Sequence, residues 1–469
     1  MKVLFVFPTA SERYSFIDFH HGIAWLSACL KRSGHETQLF QTSAFEQKRI
    51  DRLMESFNPD ILAFSFTSDY AGLAIKYMQH LRKYIKFSIA GGIHPTVMPD
   101  DVVDHVDCLC IGEGEQAIVD LASGKSLQDI ASLVYKENGH ICKNIVSPFL
   151  QDLDQLPFPD RELFDYQKAL DQDHRADFMI GRGCAYRCTY CVNNQLLHIA
   201  SGRFVRLRSV ENVLQEIKNV INDYGGIDSI CFQDDTFALR QNWTEEFCRA
   251  YKKQIGLPYV CNLRADRIDQ HLVEILADSG CTEVRIGVEQ GNEELRSMVM
   301  RRKMSNAQIL TSFNLVRRAG IKIFAYNMVG IPGETEETIQ ETIALNRLLR
   351  PHKMHVSIFR PYPGTDLYDL CKEKGYLLNV ETDSFFQPVA SIDLPTISWQ
   401  KIEYWFRLFR PAVNYPRFLW VFKALVRIKA GKNKTLYDCL FDIVYAGFRF
   451  VQKNIPQRIK DPLFKRLRI

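Results

Sequence analysis

No run of the 469 residues approaches the ~18 consecutive apolar positions needed to cross a bilayer, which excludes a membrane-spanning helix. The amino terminus, MKVLFVFPTA, lacks the charged, then apolar, then small-residue order of an export signal. It reads directly as a first β-strand, so secretion is not expected. The 13 cysteines are odd in number, which argues for a reducing compartment and against a disulfide framework. A cytoplasmic protein is the expectation. Low-complexity tracts and short repeats are also absent, so the fold has to come from ordinary packing of about three domains at ~150 residues each.

The charge is unevenly spread. Residues 401–469 hold sixteen Lys and Arg against four acids, so the tail carries +12 and the first 400 residues −8 of the net +4. A basic tail on an acidic body suggests that the tail faces something anionic. It is also aromatic, with Trp405, Phe406, Phe409, Phe418, Trp420, Phe422, Phe441, Tyr445, Phe448 and Phe450. Two readings stay open: a helical cap over the preceding domain, with snorkelling basic side chains, or a peripheral membrane contact. Nucleic acid is not expected as a partner.

Residues 1–145 alternate strand and helix patterns. Strands are expected at 2–7, 37–40, 61–66, 87–90 and 108–111, and helices at 23–31, 44–57 and 70–84. Asn138-Gly139 between two short runs predicts a β-hairpin over 133–142. The whole reads as a doubly wound, Rossmann-like α/β domain, whose ligand belongs at the carboxyl ends of its strands. Residues 146–170, with Pro157 and Pro159, form a linker. A second series follows over 171–375, with strands expected at 178–180, 229–232, 259–262, 283–288, 322–328 and 355–359 and helices between them. Six repeats predict a partial (β/α)6 barrel with its chemistry at the C-terminal strand ends. Residues 376–469 are expected to be helical.

Directly after the first barrel strand stands Gly183-Cys184-Ala185-Tyr186-Arg187-Cys188-Thr189-Tyr190-Cys191. Three thiolates can each ligate one iron of a cubane cluster, leaving the fourth iron without a protein ligand. An amino acid can chelate that iron through its amino and carboxylate groups. A structural zinc knuckle would need four ligands, usually in two pairs, and no second pair with usable spacing lies nearby.

This C-x3-C-x2-C loop resembles the signature of the radical S-adenosylmethionine (SAM) superfamily, with aromatic Tyr190 beside the last cysteine. The resemblance implies a 4Fe–4S cluster on Cys184, Cys188 and Cys191, SAM as cosubstrate, and an electron donor of flavodoxin or ferredoxin type. It also places SAM contacts at the later strand ends. Asp234 and Asp235 would lie near the ammonium, although a solvated turn is the bland reading of that pair. Arg264 would lie at the carboxylate and Glu289 at the ribose or sulfonium side, with Gly291 beside it, and Gly330 and Pro332 against the adenine.

Residues 1–375 resemble, more narrowly, the cobalamin-binding-domain branch of that superfamily. That branch includes methyltransferases and the anaerobic magnesium-protoporphyrin ester cyclase. The likeness rests on Ser65-Phe66-Thr67, Gly91-Gly92-Ile93-His94-Pro95-Thr96, Ile111-Gly112-Glu113-Gly114-Glu115 and the linker Leu153–Asp160. It implies cobalamin contacts from Ser65, Thr67, Gly91, Gly92, Gly112 and Glu113. Cobalamin proteins that displace the nucleotide base use Asp-x-His-x-x-Gly, whereas Asp18-Phe19-His20-His21-Gly22 has its glycine one position early. Axial ligation by His20 or His21 is therefore not expected.

The implied activity is reductive cleavage of SAM followed by cobalamin-dependent methylation of an unactivated carbon on a small-molecule or lipid-like substrate. A non-methylating cyclase or rearrangement enzyme is the alternative, and an iron–sulfur sensor is a third class.

Overall fold

The computed structural model describes residues 1–9, 19–84, 87–379 and 389–427. Seven strands make the first sheet: β1 (Lys2–Pro8), β2 (Glu36–Thr42), β3 (Ile61–Ser65), β4 (Phe87–Gly91), β5 (Cys108–Cys110), β6 (Leu133–Glu137) and β7 (His140–Lys143). Their spatial order is β2-β1-β3-β4-β5-β6-β7. Pairing is parallel as far as β5 and antiparallel beyond it. The continuous apolar run of β1 is buried on both faces. Val3 and Phe5 join helices His21–Arg32 and Glu115–Ala122 in one core, while Leu4 and Val6 join helices Gln47–Phe57 and Ala71–Leu81 in the other. Strands covered on both sides need this unbroken apolarity, and each fully buried side chain contributes roughly 1.5–3 kcal/mol. The strand order reverses between β1 and β3, the switch point where a crevice opens in such sheets. The expected hairpin is present, with Asn138 (φ 51°) and Gly139 (φ 81°) at its turn.

The second sheet begins with β8 (Arg175–Phe178). A small antiparallel pair follows, β9 (Gly181–Arg182) with β10 (Arg206–Leu207). Then come β11 (Ser229–Phe232), β12 (Tyr259–Leu263), β13 (Cys281–Glu289), β14 (Lys322–Val329) and β15 (Lys353–Ile358). The large sheet runs β15-β14-β13-β12-β11-β8, parallel throughout, and forms an open half-barrel. Alternation decides its faces. Val284, Ile286 and Val288 of β13 pack under the helices, while Arg285 and Glu289 line the interior. The first barrel strand ends two residues earlier than its sequence pattern suggests. The N–H groups of Ile180 and Gly181 bond the Asp234 carboxylate, not a neighbouring strand (2.9 Å each).

The described part of the C-terminal region is a cap. Helix Trp399–Asn414 buries Ile402, Trp405, Leu408 and Phe409 in a core shared with β14, β15 and helix Glu336–Leu349. Lys401 pairs with Glu336, and Trp405 Nε1 reaches the same carboxylate at 3.4 Å. Phe406 and Phe418 pack partly buried against this core, and Trp420 stands exposed. Phe441, Tyr445, Phe448, Phe450 and most of the basic tail lie outside the described residues. Among the described residues no helix is long and apolar enough to cross a membrane.

The linker is fixed by charge. Arg161 and Arg208 both donate to Glu216, and all three side chains are buried. Arg161 also donates to the carbonyl of Asp177 on β8 at 2.7 Å. Removing one partner from such a group leaves uncompensated buried charge. Glu216→Ala should therefore cost about 3–5 kcal/mol, read as a lowered urea midpoint. A loss under about 1 kcal/mol would contradict the assignment.

Candidate functional site

The cysteine loop follows β9 at the C-terminal end of the half-barrel. Cys188 is 7% exposed and receives two guanidinium groups: Arg264 Nη1 lies 3.7 Å and Arg302 Nη1 4.0 Å from its Sγ. Cys184 Sγ lies 4.0 Å from Thr236 Oγ1. Burial pushes the Cys191 thiol up to about 12, opposed by a backbone N–H at Asn193 and reinforced by Asp235 and the other two cysteines. Cys184 and Cys191 thus feel their neighbours, and loading with metal has to expel protons. Among the described residues no three His, Cys, Asp or Glu converge on one ion position. A cubane makes a different demand: three sulfurs on one loop, each serving its own iron, with N–H donors steadying the thiolate charge. The loop fits that demand.

The expected SAM contacts divide into two groups. Tyr190 and Glu289 line the barrel interior. Arg302 donates to Tyr190 Oη at 3.2 Å and to the carbonyl of Gly287, and Tyr190 in turn bonds Glu289. Burial raises the Glu289 pKa, and Arg302 opposes it. Its φ of +63° lies in the left-handed region, where the register of β13 with β14 shifts. Strain of this kind in a non-glycine residue gathers at functional sites. Asp235 accepts from Asn193 Nδ2 at 2.7 Å, on the cysteine side.

Four of the expected contacts are otherwise employed. Asp234 spends both carboxylate oxygens on the backbone of Ile180 and Gly181, and burial lifts its pKa to about 7 against those bonds. It holds the approach to the cysteine loop. Gly291 is pressed against helix Glu336–Leu349, where any side chain would strike the backbone of Thr342, and its N–H bonds Thr342 Oγ1 at 2.8 Å. Gly330 abuts Ile402 of the cap. Pro332 is buried in the turn that follows. None of the four lines a described cavity. Arg264 is bidentate to Asp266 (3.0 and 3.1 Å) and lies 3.5 Å above the Tyr186 ring, so its free donor goes to Cys188. Arg302 was missed by sequence reasoning. The only signal was the basic run 301–303, which reads as a solvated face until Arg302 proves 5% exposed.

A cavity of about 340 Å³ opens at the β1/β3 switch point. Of the residues that the resemblance implies as cobalamin contacts, Ser65, Gly91, Gly92, Gly112 and Glu113 line it and Thr67 does not. Thr67 sits extended before the turn Ser68–Tyr70. The wall is mostly apolar, with Phe5, Trp25 and Phe149 beside the small residues, which suits close approach by a large flat group. Glu113 is already engaged by the protein, accepting from Arg182 (3.0 Å), Arg206 (2.9 Å) and the Leu150 N–H (2.9 Å). Burial alone would raise its pKa, but the two arginines hold it below the carboxylate norm. His20 accepts the Ile23 N–H on Nδ1 at 3.2 Å, and burial lowers its pKa to about 4. A neutral ring so used carries its proton on Nε2 and offers no lone pair to a metal.

A second cavity, of about 680 Å³, occupies the half-barrel interior beside Tyr190 and Glu289. His20, Gly22 and Met179 belong to the walls of both cavities, so the sheet-edge cleft and the barrel chamber meet there.

This geometry can be tested at both ends. Arg302→Gln and Arg264→Ala each remove an N–H donor and a positive charge from Cys188. Each should make the cluster harder to reduce, by on the order of 50 mV in an EPR-monitored titration, whereas Glu289→Gln should leave the potential in place. Equal potentials in all four proteins would contradict the geometry. Gly92 has φ +92° and a Cβ there would meet Phe66 backbone at 3.1 Å, so Gly92→Leu would strain the domain by itself. Gly91 is free of that problem, its nearest neighbour being Cys110 at 3.8 Å. Gly91→Leu should therefore lose hydroxocobalamin on gel filtration at an unchanged melting midpoint, and full retention would contradict the cleft assignment.

Comparison with known proteins accords with this arrangement. Residues 178–345 match the model of the radical SAM superfamily and residues 19–122 that of the B12 binding domain. An uncharacterized methyltransferase of Pyrococcus horikoshii is 25% identical, over 81% of this chain and 85% of its own. The anaerobic magnesium-protoporphyrin IX monomethyl ester cyclase of Rubrivivax gelatinosus is 24% identical, over 96% of this chain and 83% of its own. The solved radical SAM methyltransferase TsrM of Kitasatospora setae, with cobalamin and a 4Fe–4S cluster bound, shares the fold. Its TM-score is 0.65 at 18% identity, over 80% of this chain and 75% of that one. The chain is a radical SAM enzyme of the branch that carries an amino-terminal B12-binding domain.

Proposed function

We propose that the chain is a cobalamin-dependent methyltransferase acting on an unactivated carbon of a substrate held in the half-barrel chamber. The supporting observation is the meeting of the two cavities at His20, Gly22 and Met179, beside the cysteine loop. When bound, the cluster and SAM supply one-electron hydrogen-abstraction chemistry and cobalamin supplies a transferable methyl group. The chain's own residues do the rest. Arg264 and Arg302 steady the Cys188 thiolate. Tyr190, held by Arg302 and bonded to Glu289, orients a polar cosubstrate at the chamber wall. Phe19, Met179, Phe324 and Met328 keep the chamber apolar, which excludes water from reactive intermediates. Electrons come from an external flavodoxin- or ferredoxin-type donor, and any membrane contact would fall to the basic tail.

A non-methylating radical reaction is the second reading. It is favoured by the cyclase likeness, which extends over 96% of the chain. Product ratios separate the two. With reconstituted enzyme, SAM, cobalamin and a turned-over substrate, methylation predicts S-adenosylhomocysteine and 5′-deoxyadenosine in roughly equal amounts. Omitting cobalamin should abolish the first and leave cluster-dependent SAM cleavage. Product formation with 5′-deoxyadenosine alone, indifferent to cobalamin, would establish the non-methylating reading instead.

A further inference from the structure

Arg285 lines the half-barrel chamber from the middle of β13, with its side chain 11% exposed. Strand alternation sets Tyr326 of β14 and Asp177 of β8 on the same interior wall. The Nε of Arg285 is buried without a partner. Its two terminal nitrogens also make no hydrogen bond among the described residues, yet they are not buried and stay accessible from the chamber. The Tyr326 hydroxyl is in the same condition, accessible and without a hydrogen bond among the described residues. Its ring is fixed between Phe324 at 5.0 Å and His355 at 6.2 Å. Burial raises the Tyr326 pKa, opposed by the nearby Arg285 cation, so the phenol is an O–H donor at neutral pH.

The neighbouring carboxylates leave this guanidinium uncompensated. Asp177 has one buried oxygen without a hydrogen bond, but Arg175 faces its charge at 3.7 Å, and its bonds go to Gln233 and the Cys231 thiol. Glu283 approaches Nε of Arg285 only to 3.8 Å, beyond hydrogen-bond length, and is shared with Lys353 at 3.6 Å. Three cations, Arg175, Arg285 and Lys353, thus stand against two carboxylates. His355 adds no charge, because burial first and then Arg410 hold it below its ordinary pKa. A guanidinium fork beside a phenol O–H is a donor set for an oxyanion, and one excess positive charge matches one carboxylate.

Depth along the barrel then fixes where that group lies. Arg285 stands four residues before Glu289 on β13, roughly 13 Å at the rise of a parallel strand. Glu289 and its partner Tyr190 mark the cysteine-loop end of the chamber. We infer that Arg285 and Tyr326 receive a carboxylate of the substrate at the end of the chamber remote from the cysteine loop. The substrate is accordingly a carboxylic acid, with its reacting carbon at the opposite end of the molecule. The inference rests on the chamber being the substrate site, and it adds the substrate class and the residues that hold it.

Two fragments that differ in charge test it: 4-fluorobenzoate and its neutral counterpart 4-fluorobenzamide, titrated by fluorine NMR. The full-length protein carries oxidised cluster, hydroxocobalamin and saturating SAM, so the place of the SAM carboxylate is already filled. The wild type should bind the benzoate at least about tenfold more tightly, the usual worth of charge-assisted hydrogen bonds. Arg285→Met should bind the two fragments alike, Arg285→Lys should keep a preference for the benzoate, and Tyr326→Phe should lose part of it. Should Arg285→Met lower the melting midpoint, the wild-type pair, Arg285→Lys and Tyr326→Phe decide. Equal binding of the fragments to the wild type, binding of neither, or a preference undiminished in folded Arg285→Met overturns the inference. The ratio of SAM-derived products reports separately on the functional proposal, because fragment binding needs no turnover.

Discussion

Glu113 ties the two sheets together. It stands just past β5, at the carboxyl edge of the first sheet. Its carboxylate accepts from Arg182 of β9, from Arg206 of β10 and from the linker N–H of Leu150. Arg182 pairs in addition with Glu115 and lies 4.8 Å above the Trp25 ring. These are half-buried, charge-assisted bonds with defined direction, so they fix orientation as well as proximity. Of the strands they join, β9 leads directly into Gly183 and the cysteine loop. These contacts help to set the cleft at the sheet edge against the cluster loop. On the opposite side Asp69 acts in the same way, taking Arg360 and the Tyr362 hydroxyl (2.9 Å) from the segment after β15.

Within that frame the charges follow one logic. Burial alone works against the thiolate and carboxylate forms of Cys184, Cys191 and Glu289. Arg264 and Arg302 answer this by pointing guanidinium donors at Cys188 and, through Tyr190, at Glu289. The guanidinium of Arg264 is in turn clamped by Asp266 and stacked on Tyr186. A metal-binding loop supported in this way keeps its geometry before loading, so less ordering remains for the cofactor to impose.

Most of the fold was legible because it depends on periodicity. The unbroken apolar run of β1, the alternation of β13 and β14 and the Asn138-Gly139 turn each have one satisfactory structural solution. Residues 399–427 resolved one open choice, since burial of Trp405 and Phe409 makes that stretch a cap. The cysteine triad was legible because its spacing is local. Roles that depend on a distant partner were not. Asp234, Gly291 and Gly330 sit at strand ends, where a ligand contact and a tight packing contact look alike in sequence. Only the backbone of Ile180, the helix at Thr342 and the side chain of Ile402 decide between them. Arg302 and Glu113 illustrate the converse: a charge in a polar stretch reads as solvated until another domain folds over it.

The central claim is that the B12-binding cleft and the cysteine loop share one space. Pulsed EPR on protein holding both cob(II)alamin and the reduced cluster tests this without requiring the substrate. Close placement predicts a resolvable dipolar splitting between the two spins, together with faster cob(II)alamin relaxation than in a Cys188→Ala protein that lacks the cluster. A cob(II)alamin signal of identical width and relaxation in the two proteins, both centres being present in the wild type, would contradict it.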